Sequence, residues 1–133
     1  MILLDTHVWL WWISNPENLA ENAILAINQA VGEKGVIISS ISTWEIALLV
    51  EKGRLELCID VRDWVRKTEG LPFVRFMPVD NTIALRSVSL PGDFHTDPAD
   101  RIITATALTM GLPLVTKDEK IHAYPHVHTI WTK

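Results

Sequence analysis

The sequence has few of the residues that mark secreted, disordered or fibrous proteins. It contains one cysteine, Cys58, with six glycines and seven prolines in 133 residues. One cysteine cannot form an internal disulfide, and the apolar start reaches Asp5 without a basic leader or a small-residue cleavage site, so we expect a reducing cytoplasmic location rather than secretion. Hydrophobic residues make up 48% and charged residues 21% of the chain, which excludes disordered and collagen-like classes.

The sequence also lacks long hydrophobic runs and an excess of positive charge. No apolar stretch approaches the roughly 20 residues that cross a membrane, and no segment repeats at a period typical of repeat proteins. Twelve Lys and Arg against 16 Asp and Glu give a formal charge of −4, so bulk electrostatics alone does not attract nucleic acid. The length predicts a single domain over residues 1–133 with its own core.

Short apolar runs alternate with helical segments along the chain. Strands are predicted where apolar residues run without interruption, and helices where caps, apolar periodicity and closing glycines mark the ends. The predicted strands are 2–4, 36–38, 73–79, 114–116 and 127–131, and the predicted helices are 6–13, 17–31, 40–52, 60–69, 82–88 and 98–110. Pro78 places strand 73–79 near a sheet edge. Strands separated by helices imply parallel crossovers, so the fold class is α/β: a three-layer α/β/α sandwich with a mostly parallel sheet of about five strands.

Acidic residues stand where sites assemble in such a sheet. Asp5 follows the first predicted strand and Asp118 follows the fourth, at the carboxyl ends where parallel sheets bind their ligands. Asp97 and Asp100 lie at the start of the helix 98–110. Each of these acids can also serve as a helix cap or first-turn acid, and for Asp97 the capping interpretation is favoured.

Glu45 differs because it lies within the apolar stripe of its helix. Its neighbours about one turn away are Ile41, Leu48 and Leu49, so its carboxylate is not on the solvated face. Two carboxylates about 4 Å apart repel by roughly 4 kcal/mol at an effective dielectric of about 20, and a bound cation relieves that repulsion. Oxygen ligands without a zinc-type Cys and His set favour Mg²⁺ or Mn²⁺.

The histidines carry weaker signals than the acids. His7 and His95 border the acidic positions and can contact either a substrate or the backbone. His122, His126 and His128 lack partners at zinc spacing and are interpreted as surface or strand residues. The motifs GxGxxG, GxxxxGK[ST] and GxSxG do not occur, which excludes dinucleotide, nucleotide-loop and serine-hydrolase sites.

Three segments carry a family resemblance over essentially the whole chain: ILLDTHVWLW, SISTWEIALLVEKGRL and DPADRIITATALTMGLPLVTKD. They resemble the PIN-domain ribonucleases, and among these the VapC-type toxins of toxin–antitoxin pairs. The resemblance implies that the catalytic acids are Asp5, Glu45, Asp100 and Asp118, with supporting hydroxyls at Thr6 and Thr116. It implies metal ligation by Asp5, Asp100 and Asp118, with Glu45 and Asp97 as further candidates.

The activity that the resemblance implies is metal-dependent endoribonuclease cleavage of RNA. Carboxylates that hold Mg²⁺ or Mn²⁺ make a protein nucleophile unnecessary, because a divalent ion activates water and stabilises charge on the phosphate. Setting the four catalytic acids aside leaves equal numbers of basic and acidic residues. Arg101 and Lys117, each next to a site acid, are then expected to contact the phosphates.

The partners that the resemblance implies are the RNA substrate, a cognate antitoxin and a second copy in a homodimer. The segment 8–13 of the first helix contains three tryptophans and is apolar on every side. This pattern predicts either full burial or a part in the homodimer or antitoxin interface.

Two other functions are left open. A receiver-like signalling domain also has an acidic Mg²⁺ pocket at this sheet edge, with Thr116 and Lys117 in place of its switch residues. It fits less well, because a receiver needs a phosphoacceptor Asp after a middle strand, and strand 36–38 is followed by Ser39 and Ser40. The other alternative is a catalytically silent PIN-like subunit that only binds.

Overall fold

Five strands form one parallel sheet in the computed structural model, which describes residues 1–132. The strands are β1 (Ile2–Leu4), β2 (Val36–Ser39), β3 (Val74–Met77), β4 (Leu114–Val115) and β5 (Thr129–Ile130), in the spatial order β3-β2-β1-β4-β5. The helices are α1 (Thr6–Ser14), α2 (Glu21–Gly32), α3 (Ser40–Glu51), α4 (Val61–Glu69), α5 (Asn81–Val88), α6 (Pro98–Met110) and α7 (Glu119–His122). None of the helices in residues 1–132 has the length and apolar character needed to cross a membrane.

Successive strand residues point to opposite faces of the sheet and bury a helical layer on each side. Leu4 and Ile38 belong to one core cluster, with residues of α1, α2 and α4. Leu3 and Ile37 belong to the opposite cluster, with Ile103 of α6. The predicted three-layer α/β/α fold with a parallel five-stranded sheet is therefore confirmed.

The second predicted helix, 17–31, is wrong at its start. Pro16–Asn18 forms a separate 3-10 turn, and α2 begins only at Glu21. Leu19 and Ala20 between them have extended backbones. Leu19 is buried in the core beside α1, so its burial decides the path of the chain where the helical pattern alone predicts continuity.

The strand order creates a crevice between β1 and β4. From β1 the chain moves outward to β2 and β3, and it returns to β4 on the other side of β1. At such a reversal the two connections leave the carboxyl ends in opposite directions and open a binding site. The two strands are paired here through Leu4 and Val115, and the Asp5 N–H donates to the Val115 carbonyl at 3.0 Å. Two of the predicted acids, Asp5 and Asp118, therefore follow the strands that border this crevice.

Candidate active site

The crevice opens into a cleft of about 1290 Å³ that all five predicted acids line. One acid follows β1, one lies on α3, two begin α6 and one begins α7: Asp5, Glu45, Asp97, Asp100 and Asp118. Small-molecule pockets are typically about 300–1,000 Å³. The cleft is therefore large enough for a segment of a polymer.

Asp5 is buried and accepts hydrogen bonds from residues that follow two different strands, β1 and β4. It is 7% exposed, and its Oδ1 accepts a hydrogen bond from the Thr6 N–H at 2.8 Å as the N-cap of α1. Its Oδ2 accepts from the Thr116 hydroxyl at 2.6 Å, and that hydroxyl oxygen accepts from the Asp118 N–H at 3.1 Å. Burial raises the pKa of Asp5, against the opposing effect of the bonds from Thr116 and Thr6. Asp5 is thus a cap and a cleft acid at once.

Glu45 reaches the cleft beside a pair of hydroxyl groups. The Thr6 hydroxyl contacts the Glu45 carboxylate and lies 2.8 Å from the Ser42 hydroxyl. A hydroxyl carries one proton, so Thr6 accepts from Ser42 when it donates to Glu45. Burial, followed by repulsion from Asp5 and Asp100, raises the pKa of Glu45 to about 7, against the effect of the Thr6 bond.

Asp100, in the first turn of α6, is hydrogen-bonded to His95, which lies in the loop between α5 and α6. The His95 Nε2 and Asp100 Oδ2 atoms are 2.7 Å apart, and the two side chains are 21% and 20% exposed. Burial raises the pKa of Asp100, the His95 contact lowers it, and the charges of Asp5, Asp97 and Asp118 raise it further. Asp97 caps α6 by accepting from the Asp100 N–H at 3.0 Å. The favoured capping interpretation of Asp97 agrees with the structure, although Asp97 also lines the cleft.

Asp118 and His122 lie at the two ends of α7. Asp118 Oδ1 accepts from the Lys120 N–H at 2.8 Å, so this acid is also a cap. His122 Nε2 lies 2.5 Å from the Thr116 carbonyl oxygen, and its Nδ1 lies 2.8 Å from the Thr129 hydroxyl. A carbonyl only accepts, so Nε2 donates to it. The interpretation of His122 as a surface or strand residue is wrong, because it ends α7, is half-buried and lines the cleft.

Arg101 does not line the cleft, although its place beside Asp100 predicts a phosphate contact. Its guanidinium donates to four backbone carbonyl oxygens at the end of α5 and in the loop that follows: Ser87 at 2.8 Å, Phe94 at 3.0 Å, His95 at 3.2 Å and Val88 at 3.4 Å. The prediction that Arg101 contacts the RNA phosphates is therefore wrong. Arg101 holds the loop that presents His95 to Asp100.

Lys117 does line the cleft, together with Lys120, and both are exposed. The Lys117 Nζ lies 5.7 Å from the centroid of the Trp11 ring. Within residues 1–132, no lysine or arginine is at ion-pairing distance from any of the five acids. Both ammonium groups therefore lie at the cleft without neutralising its carboxylates.

The acids supply metal ligands without a complete coordination shell. Over residues 1–132, no three Asp, Glu, His or Cys side chains are already close enough together to hold an ion. Burial and, after it, the charges of neighbouring acids raise the pKa values of Asp5, Glu45 and Asp100, and the second effect indicates a repulsion that a cation relieves. Mg²⁺ keeps several waters and usually binds through one or two carboxylates. The donor set fits a divalent ion that enters with part of its water shell.

Ser42 and His122 are functional candidates that the sequence interpretation missed. Ser42 lies about one turn before Glu45 on α3, and His122 lies one turn after Asp118 on α7. Residues three or four positions apart share a helix face. A search for polar residues one turn to either side of each candidate acid would have found both.

Comparisons with known proteins identify the family of the chain. Residues 2–127 match the PIN domain. Ribonuclease VapC22 of Mycobacterium tuberculosis (strain ATCC 25618 / H37Rv) is 38% identical over 132 residues, which is 98% of each chain. The crystal structure of FitAcB from Neisseria gonorrhoeae is 26% identical with a TM-score of 0.68 and covers 98% of this chain and 96% of that chain. VapBC2 from Rickettsia felis, bound to a promoter DNA fragment, is 16% identical with a TM-score of 0.72 over 99% and 100% of the two chains, a likeness of fold alone.

The family match covers the strands and helices that position every cleft acid. The VapC22 identity covers the same elements at nearly full length. The resemblance stated from the sequence is confirmed, and the receiver-like alternative is not favoured. The chain therefore belongs to the PIN-domain family and, within it, to the VapC-type ribonucleases.

Proposed function

We propose that the protein is a metal-dependent endoribonuclease that cleaves RNA phosphodiester bonds with Mg²⁺ or Mn²⁺. The observation that carries this proposal is the convergence of Asp5, Glu45, Asp100 and Asp118 on one cleft with no paired lysine or arginine in residues 1–132. Family membership supports the same chemistry. A bound divalent ion would supply a Lewis acid and an activated water at neutral pH.

The residues of the chain divide the remaining tasks. Asp5 presents oxygen atoms whose direction is set by the Thr6 N–H and the Thr116 hydroxyl. Glu45, with its pKa raised to about 7, can accept or release a proton near neutral pH, and Thr6 orients its carboxylate. Lys117 lies at the cleft, where it can contact RNA phosphates and set the register of the strand.

The test is cleavage of end-labelled RNA in EDTA and then in excess Mg²⁺ or Mn²⁺. We expect no cleavage in EDTA and recovery with either ion. Asp5→Asn protein prepared in parallel is the control, since cleavage that is as fast in this variant as in the wild type and that also persists in EDTA comes from a contaminating ribonuclease. Undiminished wild-type cleavage in EDTA would contradict the proposal, and RNA binding without cleavage under any metal condition would favour the silent binding subunit.

An antitoxin is the first proposed partner. Membership of the VapC-type ribonucleases supports it, and a protein of similar fold from Klebsiella pneumoniae is part of a toxin–antitoxin complex. We expect the chain expressed alone to arrest growth, and co-expression with the product of the neighbouring gene to relieve the arrest. Unimpaired growth despite soluble, RNA-cleaving protein would contradict the toxin proposal.

A homodimer is the second proposed assembly. Leu85 and Val88 of α5 are 73% and 79% exposed and lie one turn apart, an apolar pair suited to an interface. We expect light scattering to give twice the chain mass for the wild type and the chain mass for the double variant Leu85→Glu and Val88→Glu. A wild-type monomer at high concentration would contradict the homodimer.

Only part of the tryptophan-rich segment 8–13 is left for such interfaces. Trp9 is fully buried, and its indole N–H donates to the Thr68 hydroxyl at 3.1 Å. Trp11, Trp12 and Ile13 are half-buried at the margin of the same core. An interface at this segment is therefore restricted to its second half.

A further inference from the structure

One wall of the cleft is aromatic rather than acidic. Trp11 of α1, Trp131 after β5 and His7 line the same cleft as Asp5 and Asp118. The centroid of the Trp11 ring lies 5.8 Å from that of His7 and 5.9 Å from that of Trp131, with interplanar angles of 49° and 51°. At these angles the Trp11 ring is not stacked face to face on either neighbour, so neither neighbour covers its face as a stacked base would.

Trp11 differs from the tryptophans of the core. Trp9 and Trp64 are buried, and their indole N–H groups donate to Thr68 and Ser14. Trp11 is half-buried, and within residues 1–132 its indole N–H has no hydrogen-bond partner. The ring therefore contributes apolar surface to the cleft together with a free donor.

A cation accompanies this ring beside the acids. The Lys117 Nζ lies 5.7 Å from the Trp11 centroid, a distance at which an ammonium group is attracted to an indole face. Lys117 directly follows Thr116, whose hydroxyl binds Asp5. Proteins that bind single-stranded nucleic acid combine aromatic rings, on which the bases stack, with positive charges, which contact the phosphate backbone.

We propose that Trp11 is a platform on which one unpaired base of the RNA stacks in place of the Lys117 ammonium group, which lies over the ring in the free protein, while the adjoining phosphate lies over the acids. The inference rests on the proposed ribonuclease function and assigns to Trp11 the binding of a base next to the cleavage site. Bases inside a duplex are stacked on both sides and cannot reach the ring. Trp11 is then a specificity-determining residue.

Binding of a short fluorescein-labelled single-stranded oligoribonucleotide tests the platform, with Ca²⁺ in place of Mg²⁺ and a gel to verify that the RNA stays intact. We expect Trp11→Leu to weaken binding by about 5- to 150-fold, the range for loss of one base–aromatic stack. Trp11→Phe should retain most of the affinity. Trp12→Leu is the matched control, since Trp12 is a half-buried neighbour on α1 that packs near Phe73, with ring centroids 6.0 Å apart, outside the cleft lining. Equal losses in both leucine variants would overturn the inference.

A second measurement separates stacking from a general disturbance of α1. Each base of the oligoribonucleotide is replaced in turn by an abasic residue, and binding is measured with the wild type and with Trp11→Leu. We expect one position at which the abasic replacement weakens binding to the wild type but not to Trp11→Leu. At that position the base and the Trp11 ring are in contact, and the effects of removing two groups in contact do not add. The same strand annealed to its complement should bind more weakly than the single strand.

The possible failures can be told apart. If every abasic position affects the wild type and Trp11→Leu alike, the platform is overturned while the ribonuclease proposal stands. If the duplex binds as tightly as the single strand, stacking of an unpaired base on Trp11 is contradicted. If the wild type neither binds nor cleaves RNA with Mg²⁺ or Mn²⁺, both proposals fail.

Discussion

Asp5 and Asp97 both cap a helix, yet they lie at different depths of the same cleft. Asp5 is 7% exposed and accepts hydrogen bonds from two separate strand ends, through Thr6 and Thr116. Asp97 is exposed and accepts one hydrogen bond, from its own helix. A cap therefore does not by itself distinguish a site acid from a structural one. Burial and the hydrogen bond from the distant residue Thr116 distinguish Asp5 from Asp97.

The largest effect is expected for Asp5, the buried acid that we call the floor of the cleft. Asp5→Asn should lower kcat for RNA cleavage by about a hundredfold to a thousandfold, the range for loss of one preorganised electrostatic contact, while Asn keeps the N-cap. Asp100→Asn should lose a similar amount. Steady-state cleavage with folded variants, verified by circular dichroism, measures both effects. Near wild-type activity in either variant would remove that acid from the site.

Arg101→Lys should have an intermediate effect through the loop that carries His95. Loss of hydrogen bonds from a charged group costs about 1.5–3 kcal/mol each, and we expect a lower melting temperature with a kcat reduced by about 10- to 100-fold, as for other supporting residues. The salt dependence of KM should not change, because Arg101 does not meet phosphate. Because Arg101→Lys keeps the positive charge, the phosphate contact is tested with Arg101→Met, in which a salt dependence shallower by about one unit of slope would restore that contact. Arg86→Lys, at the exposed end of α5, is the control.

Glu45→Gln should change the pH dependence of stability of the metal-free protein. The folded pKa of Glu45 is raised from 4.5 to about 7, so its contribution to stability is complete below pH 4.5 and is lost as the pH rises to about 7. The variant should lack this loss and should melt higher at neutral pH, by roughly 2–6 °C for about 1 kcal/mol. Added Mn²⁺ should then stabilise the wild type more than the variant. Parallel shifts with and without Mn²⁺ would separate Glu45 from the other acids.

The smallest effect is expected for Asp97, which lies at the exposed edge of the cleft. Asn caps a helix about as well as Asp, so Asp97→Asn should change the free energy of unfolding by less than about 0.5 kcal/mol and should keep at least part of the activity. Cleavage rates and melting curves beside those of Asp5→Asn measure the contrast. A loss as large as that of Asp5→Asn would place Asp97 among the metal ligands.

The sequence predicts the floor of the cleft better than its walls. Asp5 and Asp118 could be placed because short apolar strands mark their own ends, and a parallel sheet collects those ends at one edge. Glu45 could be placed because a carboxylate within an apolar stripe conflicts with its helix face. These signals depend on local pattern alone.

Contacts between distant segments were not predictable in the same way. Arg101 adjoins Asp100 in sequence, but consecutive helix residues point in different directions, and its guanidinium turns to the α5 end and the loop. His122 depends on Thr129, which only the pairing of β5 with β4 brings near. The break before α2 depends on the burial of Leu19, which overrides local helix propensity.

β5 has a consequence for how the site opens. Among the described residues 1–132 it pairs only with β4, through two residue pairs, and both of its residues are half-buried at the sheet edge. Short edge segments with few buried contacts have low local opening free energies, and their amide hydrogens exchange with solvent before those of the core. Release of β5 alone would remove the Thr129 partner of His122 and the Trp131 neighbour of Trp11. Opening of β5 would therefore separate the residues of the aromatic wall and leave Asp5 in place between β1 and β4.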